Sequence, residues 1–360
     1  MKLNTQSTFA LLRFCVVVVS WTAISQLTVA QTQDKTAAQE SAAPTSALTF
    51  SEPIESTWEF GLKINCAGNA KGVNAVVPIP MDWPEQEIEL LSEEKTKGVG
   101  RFKQSNPTQY TRQFSFKVNR MSNSESTGYI RFKIKKRLII APQDTSQFAV
   151  PKRVPKKLRT FLQPSPYIES DHKKIREIAA SLKDETLSSW EQVEKIYKWV
   201  RENVEYKFDV NIHSCLDALE SGKGDCEELS SMFIAICRAL KIPARAVWVP
   251  DHTYPEFYLE DKKGKGHWFP CQAAGDYEFG AMSDDRPILQ KGDRFRRANQ
   301  TGFVRYLQPT LTAKDLKGGI SIDWISRKIE DEANSDQKSC LLYTSPSPRD
   351  LSTSRMPSSA

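Results

Sequence analysis

The sequence predicts an α+β protein in which a small all-β sandwich precedes a core of helices and antiparallel strands. Apolar and polar residues alternate between about residues 49 and 144, which is typical of half-buried strands. Apolar residues then recur every three or four positions between about residues 190 and 240, which is typical of amphipathic helices. Short strand-like runs return after residue 242. This order of elements favours helices packed against an antiparallel sheet.

The composition is that of a folded chain and not of a disordered or fibrous one. Its 360 residues are 39% hydrophobic and 10% aromatic, which suffices for a sizeable core and for two modest domains. The 50 basic and 44 acidic side chains give a formal net charge of +6 that is spread along the sequence. Because no basic motif interleaved with aromatic residues is present, nucleic-acid binding is not expected.

Residues 1–30 have the pattern of a cleavable secretory signal peptide. Lys2 and Arg13 precede an apolar run that contains Val16–Val19, and small residues follow up to Ala30. The run is too short for a stable membrane anchor, and no later segment is apolar enough to cross a membrane. We therefore expect cleavage near Ala30 and a secreted or periplasmic protein without a transmembrane segment.

Changes in composition divide the rest of the chain. Residues 31–48 are rich in Gln, Thr, Ala and Ser and are predicted to be a flexible linker. Residues 49–150 form the predicted sandwich, and residues 151–318 form the predicted domain of helices and strands. Residues 319–338 are predicted to be a polar C-terminal segment. Residues 339–360 resemble a translated sequencing adapter, and we expect them not to be native.

Three runs in the predicted sandwich carry the strand pattern. In each run every second side chain is apolar: Trp58, Phe60, Leu62 and Ile64; Phe114, Phe116 and Val118; Ile130, Phe132 and Ile134. Gly68–Gly72 and Ser122–Gly128 are predicted to be turns between strands. The opposite face of the last run is basic at Arg131, Lys133, Lys135 and Arg137. We interpret this basic stripe as a solvated face, and contact with an anionic cell-envelope polymer is the alternative.

Cys226 differs from the other cysteines in its sequence context. Six cysteines follow residue 30: Cys66, Cys215, Cys226, Cys237, Cys271 and Cys340. Cys226 comes after Gly222 and Gly224 and begins a run with helical spacing, with Asp225 as N-cap and Glu228 completing a capping box. Backbone N–H groups and the helix dipole stabilise a thiolate at a helix N-terminus and so lower its pKa. Cys226 is therefore the candidate nucleophile.

The strands predicted after this helix can bring a base to the thiol. Residues 242–249 are predicted to form a buried strand, and further strands begin at His252 and His267. A helix followed by antiparallel strands can place an imidazole against the thiol, and a third strand can supply a group that orients the imidazole. The other two histidines, His172 and His213, have no pattern around them. His252 is favoured over His267 as the base.

These residues carry a family resemblance. The motifs are GKGDCEELSSMF, RALKIPARAVWV, HTYPEFYL and HWFPCQ. They resemble the transglutaminase-like superfamily, whose pattern is Gly-x-Cys at a helix start, an Arg-Ala-x-x-Ile-Pro-Ala-Arg turn, a His-x-x-x-Glu strand and a Trp-x-Pro-x-Asp strand. The resemblance covers roughly residues 166–311. It implies a papain-like, transglutaminase-like core and amide chemistry through a thioester, either transamidation or peptide cleavage.

The resemblance assigns three candidate catalytic residues. Cys226 matches the nucleophile, and His252 matches the base. Gln272 stands where the family most often has Asp. A Gln carbonyl can accept the imidazole N–H, but a neutral amide cannot stabilise imidazolium with a full charge. Tyr254 and Pro255 are lesser departures, at positions where a Trp and a smaller apolar residue are usual.

Other roles for the cysteines remain open at this stage. Cys215 and Cys271 could form a disulfide in an oxidising compartment, or Cys271 could be free beside the site. A metal site is not favoured, because no Cys-x-x-Cys or His-x-x-x-His pair is present. We therefore expect neither a metal nor a cofactor.

The sequence thus predicts an exported cysteine enzyme whose partner is a protein or peptide substrate or a cell-envelope polymer. The same residues serve peptidases, amidases and transamidases, so the acceptor can be water or an amine. The alternative is a non-catalytic transglutaminase-like domain that binds or scaffolds, and the missing Asp is the feature that favours it. The oligomeric state does not follow from the sequence.

Overall fold

The structure, a computed structural model, describes residues 48–297 and 301–330. The predicted signal peptide and the predicted non-native tail lie outside the described residues. The predicted linker lies outside them except for its last residue, and the predicted polar segment is described only as far as residue 330.

Fourteen strands and four α-helices are present in the described ranges. The strands are β1 (Thr49–Phe50), β2 (Ile54–Ile79), β3 (Gln86–Lys95), β4 (Lys103–Thr108), β5 (Thr111–Lys136), β6 (Ile139–Ile140), β7 (Glu205–Tyr206), β8 (Lys223–Gly224), β9 (Ala244–Val249), β10 (His252–Glu260), β11 (Gly266–Pro270), β12 (Gln290–Lys291), β13 (Thr310–Thr312) and β14 (Asp315–Ile329). The helices are α1 (Lys173–Leu182), α2 (Ser189–Asn203), α3 (Cys215–Ser221) and α4 (Cys226–Ala239), and a 3-10 helix spans Lys156–Leu162.

Two strands of 26 residues each, β2 and β5, dominate the N-terminal region. They pair in antiparallel register from Ile54 opposite Lys136 to Ile79 opposite Arg112. The three apolar sets predicted from the alternation are all buried in one core with Phe102. The strand pattern of this region is therefore confirmed.

The turns predicted at Gly68–Gly72 and Ser122–Gly128 are wrong. Both stretches lie inside the long strands, where the pairing shifts register between Cys66 and Asn69. Gly68 has a φ of +115°, a conformation that glycine adopts without strain. A residue of this kind bends a strand as a bulge and does not end it. The glycine signal therefore marks a bulge in a long ribbon.

One antiparallel sheet connects the N-terminal strands with those that follow the helices. Its order is β11-β10-β9-β12-β5-β2-β13, while β14 also pairs with β2, and β3 and β4 pair with β5. Gln290 of β12 makes the junction, because it lies opposite both Trp248 of β9 and Thr111 of β5. β14 lies largely in the segment for which the sequence indicated only polar composition.

The domain boundary between residues 150 and 151 stays a prediction.

Helix α4 is enclosed by the rest of the fold. Every residue from Cys226 to Arg238 is buried, and the helix packs against β9, β10 and the other three helices. Trp190 of α2 joins this layer to the sheet, since its ring lies 5.1 Å from Phe269 and 5.6 Å from Phe257 between centroids. A helix buried on all sides is a core element.

Residues from three motifs that follow α4 meet in one buried charge cluster. Arg245 donates to Glu256 Oε2 at 2.8 Å, and its guanidinium carbon lies 3.9 Å from the centre of the Trp268 ring. Lys291 Nζ donates to Glu256 Oε1 at 2.6 Å and also to Glu85. Because each charge has an opposite partner, burial is tolerated. The cluster ties β9, β10, β11 and β12 to the segment that precedes β3.

The basic stripe at the end of β5 is partly exposed and is paired with carboxylates of neighbouring strands, of which Glu59 is buried. The pairs are Arg131 with Glu59, Lys133 and Lys135 with Glu55, and Arg137 with Glu87. These pairs agree with a solvated face.

The predicted α+β class is confirmed, with helices packed on an antiparallel sheet and an all-β region before them. Among the described residues, no helix combines the length and the apolar character needed to cross a membrane.

Candidate active site

Cys226 is the first residue of α4, as predicted. The N-cap Asp225 accepts the N–H of Glu227 at 2.7 Å, and Glu228 Oε2 accepts the N–H of Asp225 at 2.9 Å. Gly224 is required by close approach, because a Cβ there would lie 2.5 Å from the Glu228 Cβ. The Gly-x-Cys motif thus lets the chain pass tightly over the helix start and fixes the position of the thiol.

The two carboxyls that cap α4 are buried together. Asp225 is 2% exposed and Glu228 is 1% exposed. Burial and the hydrogen bond with the Asp225 side chain raise the pKa of Glu228 to about 7. Glu228 Oε1 also accepts the N–H of His213 at 2.8 Å. Partial protonation of Glu228 near neutral pH therefore relieves the repulsion between the two carboxyls.

His252 begins β10, and its ring bonds to Gln272. The distance from His252 Nε2 to Gln272 Oε1 is 2.9 Å. Because an amide oxygen only accepts, Nε2 carries the hydrogen, and Nδ1 keeps a lone pair in the neutral ring. This tautomer leaves Nδ1 available to take a proton from a thiol.

The imidazole of His252 is held in its neutral form. Burial lowers its pKa, the bond to Gln272 raises it, and the positive charge of Arg286 lowers it, with a lower pKa as the net result. Asp284 and Asp225 act in the raising direction but do not reverse the shift. Since the ordinary pKa is about 6.5, the ring is a neutral base at pH 7.

The start of α4 lies beside the start of β10. Ser230 is one helical turn after Cys226, and its Oγ donates to the carbonyl of Thr253 at 3.3 Å. Thr253 directly follows His252, and the charge of Asp225 also acts on the His252 ring. The structure therefore brings the helix end that carries Cys226 to the strand end that carries His252 and to Gln272.

Arg201 at the end of α2 holds Gln272 in place. Its Nη1 donates to the carbonyl of Gln272 at 2.9 Å, and its Nη2 donates to that of Gly275 at 2.8 Å. The carbonyls of Ala273 and Asp276 lie at 3.4 and 3.3 Å from Nη1. A planar guanidinium with five donors suits such a ring of carbonyls. Sequence reasoning did not identify Arg201, although it lies within the residues that the resemblance covers, because it belongs to none of the four motifs.

The other three histidines have partners of their own. His172 accepts the N–H of Lys174, His213 contacts Asp209 and His267 contacts Asp261. His267 lies opposite Leu259, near the other end of β10 from His252. Over residues 48–297 and 301–330, no group of three or more His, Cys, Asp or Glu side chains is placed to hold a metal ion.

The remaining cysteines of the described ranges are free thiols in the core. Cys215 Sγ donates to Glu169 Oε2 at 2.9 Å, while Cys237 and Cys271 are fully buried. Burial raises the pKa of all three thiols. The disulfide considered between Cys215 and Cys271 is thus not formed, and these thiols are poorly disposed to ionise.

Two further charged residues at the site carry no motif signal. Arg286 pairs with Asp284 and donates to the carbonyl of Pro250, two residues before His252. They lie in a stretch without helix or strand, so neither periodicity nor spacing could have indicated their position.

The buried helix α4 begins at Cys226 and packs on antiparallel strands, of which β10 begins at His252. Gln272, the amide partner of His252, lies two residues after the end of β11. Residues 174–273 match the family model of the transglutaminase-like superfamily. Cys226, His252 and Gln272 all lie within these residues. The resemblance predicted from the motifs is therefore confirmed. A comparison with curated proteins gives no match.

Two solved structures are similar to this chain, and the first of them shares its fold. The crystal structure of "a Putative Cysteine Protease" from Cytophaga hutchinsonii has 17% identity and a TM-score of 0.56, with 79% of this chain and 94% of that chain covered. The periplasmic domain of TgpA from Pseudomonas aeruginosa, bound to ethylmercury, has 12% identity and a TM-score of 0.32, with 63% and 95% covered. The likeness to the first structure extends well beyond residues 174–273.

The Gln272 contact predicts opposite effects of two substitutions on His252. Gln272→Asp should raise the pKa of His252 by roughly one unit or more, because a carboxylate beside Nε2–H stabilises imidazolium. Gln272→Ala should lower that pKa, since the bond that raises it is lost. Titration of the histidine C2–H resonances by NMR measures both shifts, and the chain has only 4 histidines to assign.

Gln109→Asp, at an exposed position of the β4–β5 turn, introduces the same charge as a control. If the pKa of His252 is the same in the parent protein and in all three variants, the contact with Gln272 does not control the pKa of the imidazole.

Proposed function

We propose that the protein is an exported transglutaminase-like cysteine enzyme that acts on peptide or side-chain amides through a thioester. The observation that carries the proposal is the 2.9 Å contact between His252 Nε2 and Gln272 Oε1, which leaves Nδ1 as a base beside the start of α4. Cys226 at that helix start supplies the nucleophile, whereas burial raises the pKa of Cys215, Cys237 and Cys271.

The first half of the reaction forms a thioester. Nδ1 of His252 takes the thiol proton as the sulfur of Cys226 attacks the amide carbonyl carbon. The backbone N–H of Cys226 and the helix dipole stabilise the oxyanion of the tetrahedral intermediate. The imidazolium then gives its proton to the leaving amine as the C–N bond breaks.

The second half restores the thiol. Water or an amine attacks the thioester carbon, His252 removes the proton of the attacking group, and the C–S bond breaks as the sulfur is protonated again. The products are a carboxylic acid or a new amide. Because Gln272 is neutral, imidazolium is less stabilised than it would be beside a carboxylate, and we expect a slower reaction than at a site with Asp.

The loop between β7 and α3 is hydrogen-bonded to the residues two before and two after Cys226, and its side chains favour a peptide as the substrate. The N–H of Lys207 donates to the carbonyl of Gly224 at 2.8 Å, and that of His213 donates to Glu228 at 2.8 Å. Large apolar side chains of this loop are exposed: Phe208 62%, Val210 48% and Ile212 40%, as is Tyr206 at the end of β7 (55%). Exposed apolar side chains beside a nucleophile favour a substrate with apolar residues next to the reacting amide.

The nucleophile is tested by alkylation. Cys226 should react with iodoacetamide with an apparent pKa below about 8.5, the ordinary value for a thiol. His252→Ala should raise that apparent pKa, because the proton acceptor is lost. Cys226→Ser should lower peptide-amide turnover by roughly 10³-fold or more. Mass spectrometry of the labelled peptide across pH gives the alkylation rates, and product masses with and without an added alkylamine separate hydrolysis from transamidation.

His213→Ala and Cys237→Ala are the matched controls, since they remove a histidine and a cysteine outside the proposed mechanism. An ordinary thiol profile at Cys226 that is unaffected by His252→Ala would contradict the proposal and favour the non-catalytic alternative.

The substrate class is tested at Phe208. Phe208→Ser should raise the KM for peptides with apolar residues beside the amide by about tenfold, since burying a Phe side chain contributes about 1.5–3 kcal/mol. The alkylation rate of Cys226 should not change. Leu91→Ser removes another exposed apolar side chain, 45% exposed on β3, as the control. Equal KM values for Phe208→Ser and the parent protein, or a preference for envelope polymers over peptides, would refute this substrate class.

Export is supported by the charged start, apolar run and small residues of positions 1–30. Expression of the full sequence in a secreting bacterial host should yield a periplasmic or extracellular protein whose mass lacks about 30 residues. Full-length protein retained in the cytoplasm would contradict export and would leave the chemistry of the site untouched.

A further inference from the structure

Arg286 contacts the turn from which His252 emerges. β9 and β10 are joined by Pro250 and Asp251, and His252 pairs with Val249 across this short turn. Asp251 has a φ of +56°, in the left-handed region that non-glycine residues seldom adopt. Arg286 Nη1 donates to the carbonyl of Pro250 at 3.0 Å. The guanidinium therefore stabilises a strained turn next to the proposed base.

Asp284 fixes the orientation of this guanidinium. Arg286 Nη2 donates to Asp284 Oδ2 at 2.6 Å, and Nε donates to Oδ1 at 3.0 Å. Asp284 Oδ1 also accepts the backbone N–H of Arg286 at 2.9 Å. The Asp284 side chain is 7% exposed, whereas that of Arg286 is 35% exposed. A bidentate pair of this kind holds a guanidinium in one plane, with one edge on the turn and part of its surface open.

The charge of Arg286 acts on both reacting groups. It lowers the pKa of His252, while Asp284, Asp225 and the Gln272 hydrogen bond act in the opposite direction. The negative charges of Asp284, Asp251 and the Cys226 thiolate contribute to a raised pKa of Arg286. Since electrostatic interactions are reciprocal, Arg286 in turn favours the thiolate form of Cys226.

We propose that Arg286, held by Asp284, is a positioning residue of this site, fixing the His252 turn and placing a positive charge that favours a Cys226 thiolate beside a neutral imidazole. The role toward Cys226 rests on the proposed function, whereas the role toward His252 does not. Because Gln272 is neutral, no carboxylate forms a hydrogen bond with the imidazole of His252, and support of the thiolate by a fixed cation is another way to keep the sulfur reactive.

The test compares three variants by NMR titration of His252. Arg286→Gln should raise the pKa of His252 by at least about half a unit, because a neighbouring positive charge is removed and Asp284 is left uncompensated. Asp284→Asn should lower the pKa of His252, because a negative charge is removed. Arg286→Lys should leave that pKa close to the parent value. A residue with only a structural role would not give shifts of opposite sign.

The same proteins are compared by alkylation of Cys226. Arg286→Gln should raise the apparent pKa of the thiol and slow alkylation at pH 7 roughly tenfold, and Arg286→Lys should recover a large part of that rate. Arg131→Gln is the matched control, because Arg131 is also ion-paired and 37% exposed but lies on β5, outside the site.

His252 shifts that are absent, or that have the same sign in Arg286→Gln and Asp284→Asn, would overturn the proposal. If Arg286→Gln does not fold, Asp284→Asn and Arg286→Lys still decide it, since they predict a lowered and an unchanged pKa. An unactivated thiol in the parent protein would refute the proposed function instead, and the His252 titration would still decide the role of Arg286.

Discussion

The site depends on how the start of helix α4 is fixed inside the protein. The backbone N–H groups of a buried helix start need acceptors that water cannot provide, and here Asp225 and Glu228 supply them. The arrangement buries two carboxyls side by side, which is tolerated because the pKa of Glu228 rises towards neutrality. Gly224 allows the preceding strand to pass close by. The position of Cys226 is thus set mainly by main-chain bonds and short side chains, which leave it little freedom.

Much of this arrangement can be predicted from short stretches of the sequence. The capping box, the helical run after Cys226 and the strand that begins at His252 are signals carried by residues close together in the chain, and all were predicted correctly. The length of the paired strands β2 and β5 was not predicted. Glycine is found both at bulges and at turns, so Gly68 alone does not show which of the two is present. Arg201 and Arg286 were missed for a different reason: they act through carbonyls more than 30 residues away along the chain.

The electrostatics of the site differ from those of a cysteine, histidine and aspartate triad. Gln272 orients the imidazole but adds no negative charge, so burial determines the direction of the His252 pKa. The nearby fixed charges come instead from Asp225 at the helix cap and from the Asp284 and Arg286 pair. The reactivity of such a site therefore depends on the balance of charges around the ring more than on a single partner.

β12 links the strands of the site to the N-terminal region. Lys291 joins Glu256, four residues after His252 on β10, to Glu85 of the N-terminal region, and Gln290 pairs with strands on both sides. A fragment limited to residues 174–273 would leave the edge of β9 uncovered and one face of Glu256 without its cation. Residues 174–273 thus depend on buried contacts with residues outside that segment, so the site and the all-β region are linked through the charge pair of Lys291 and Glu85.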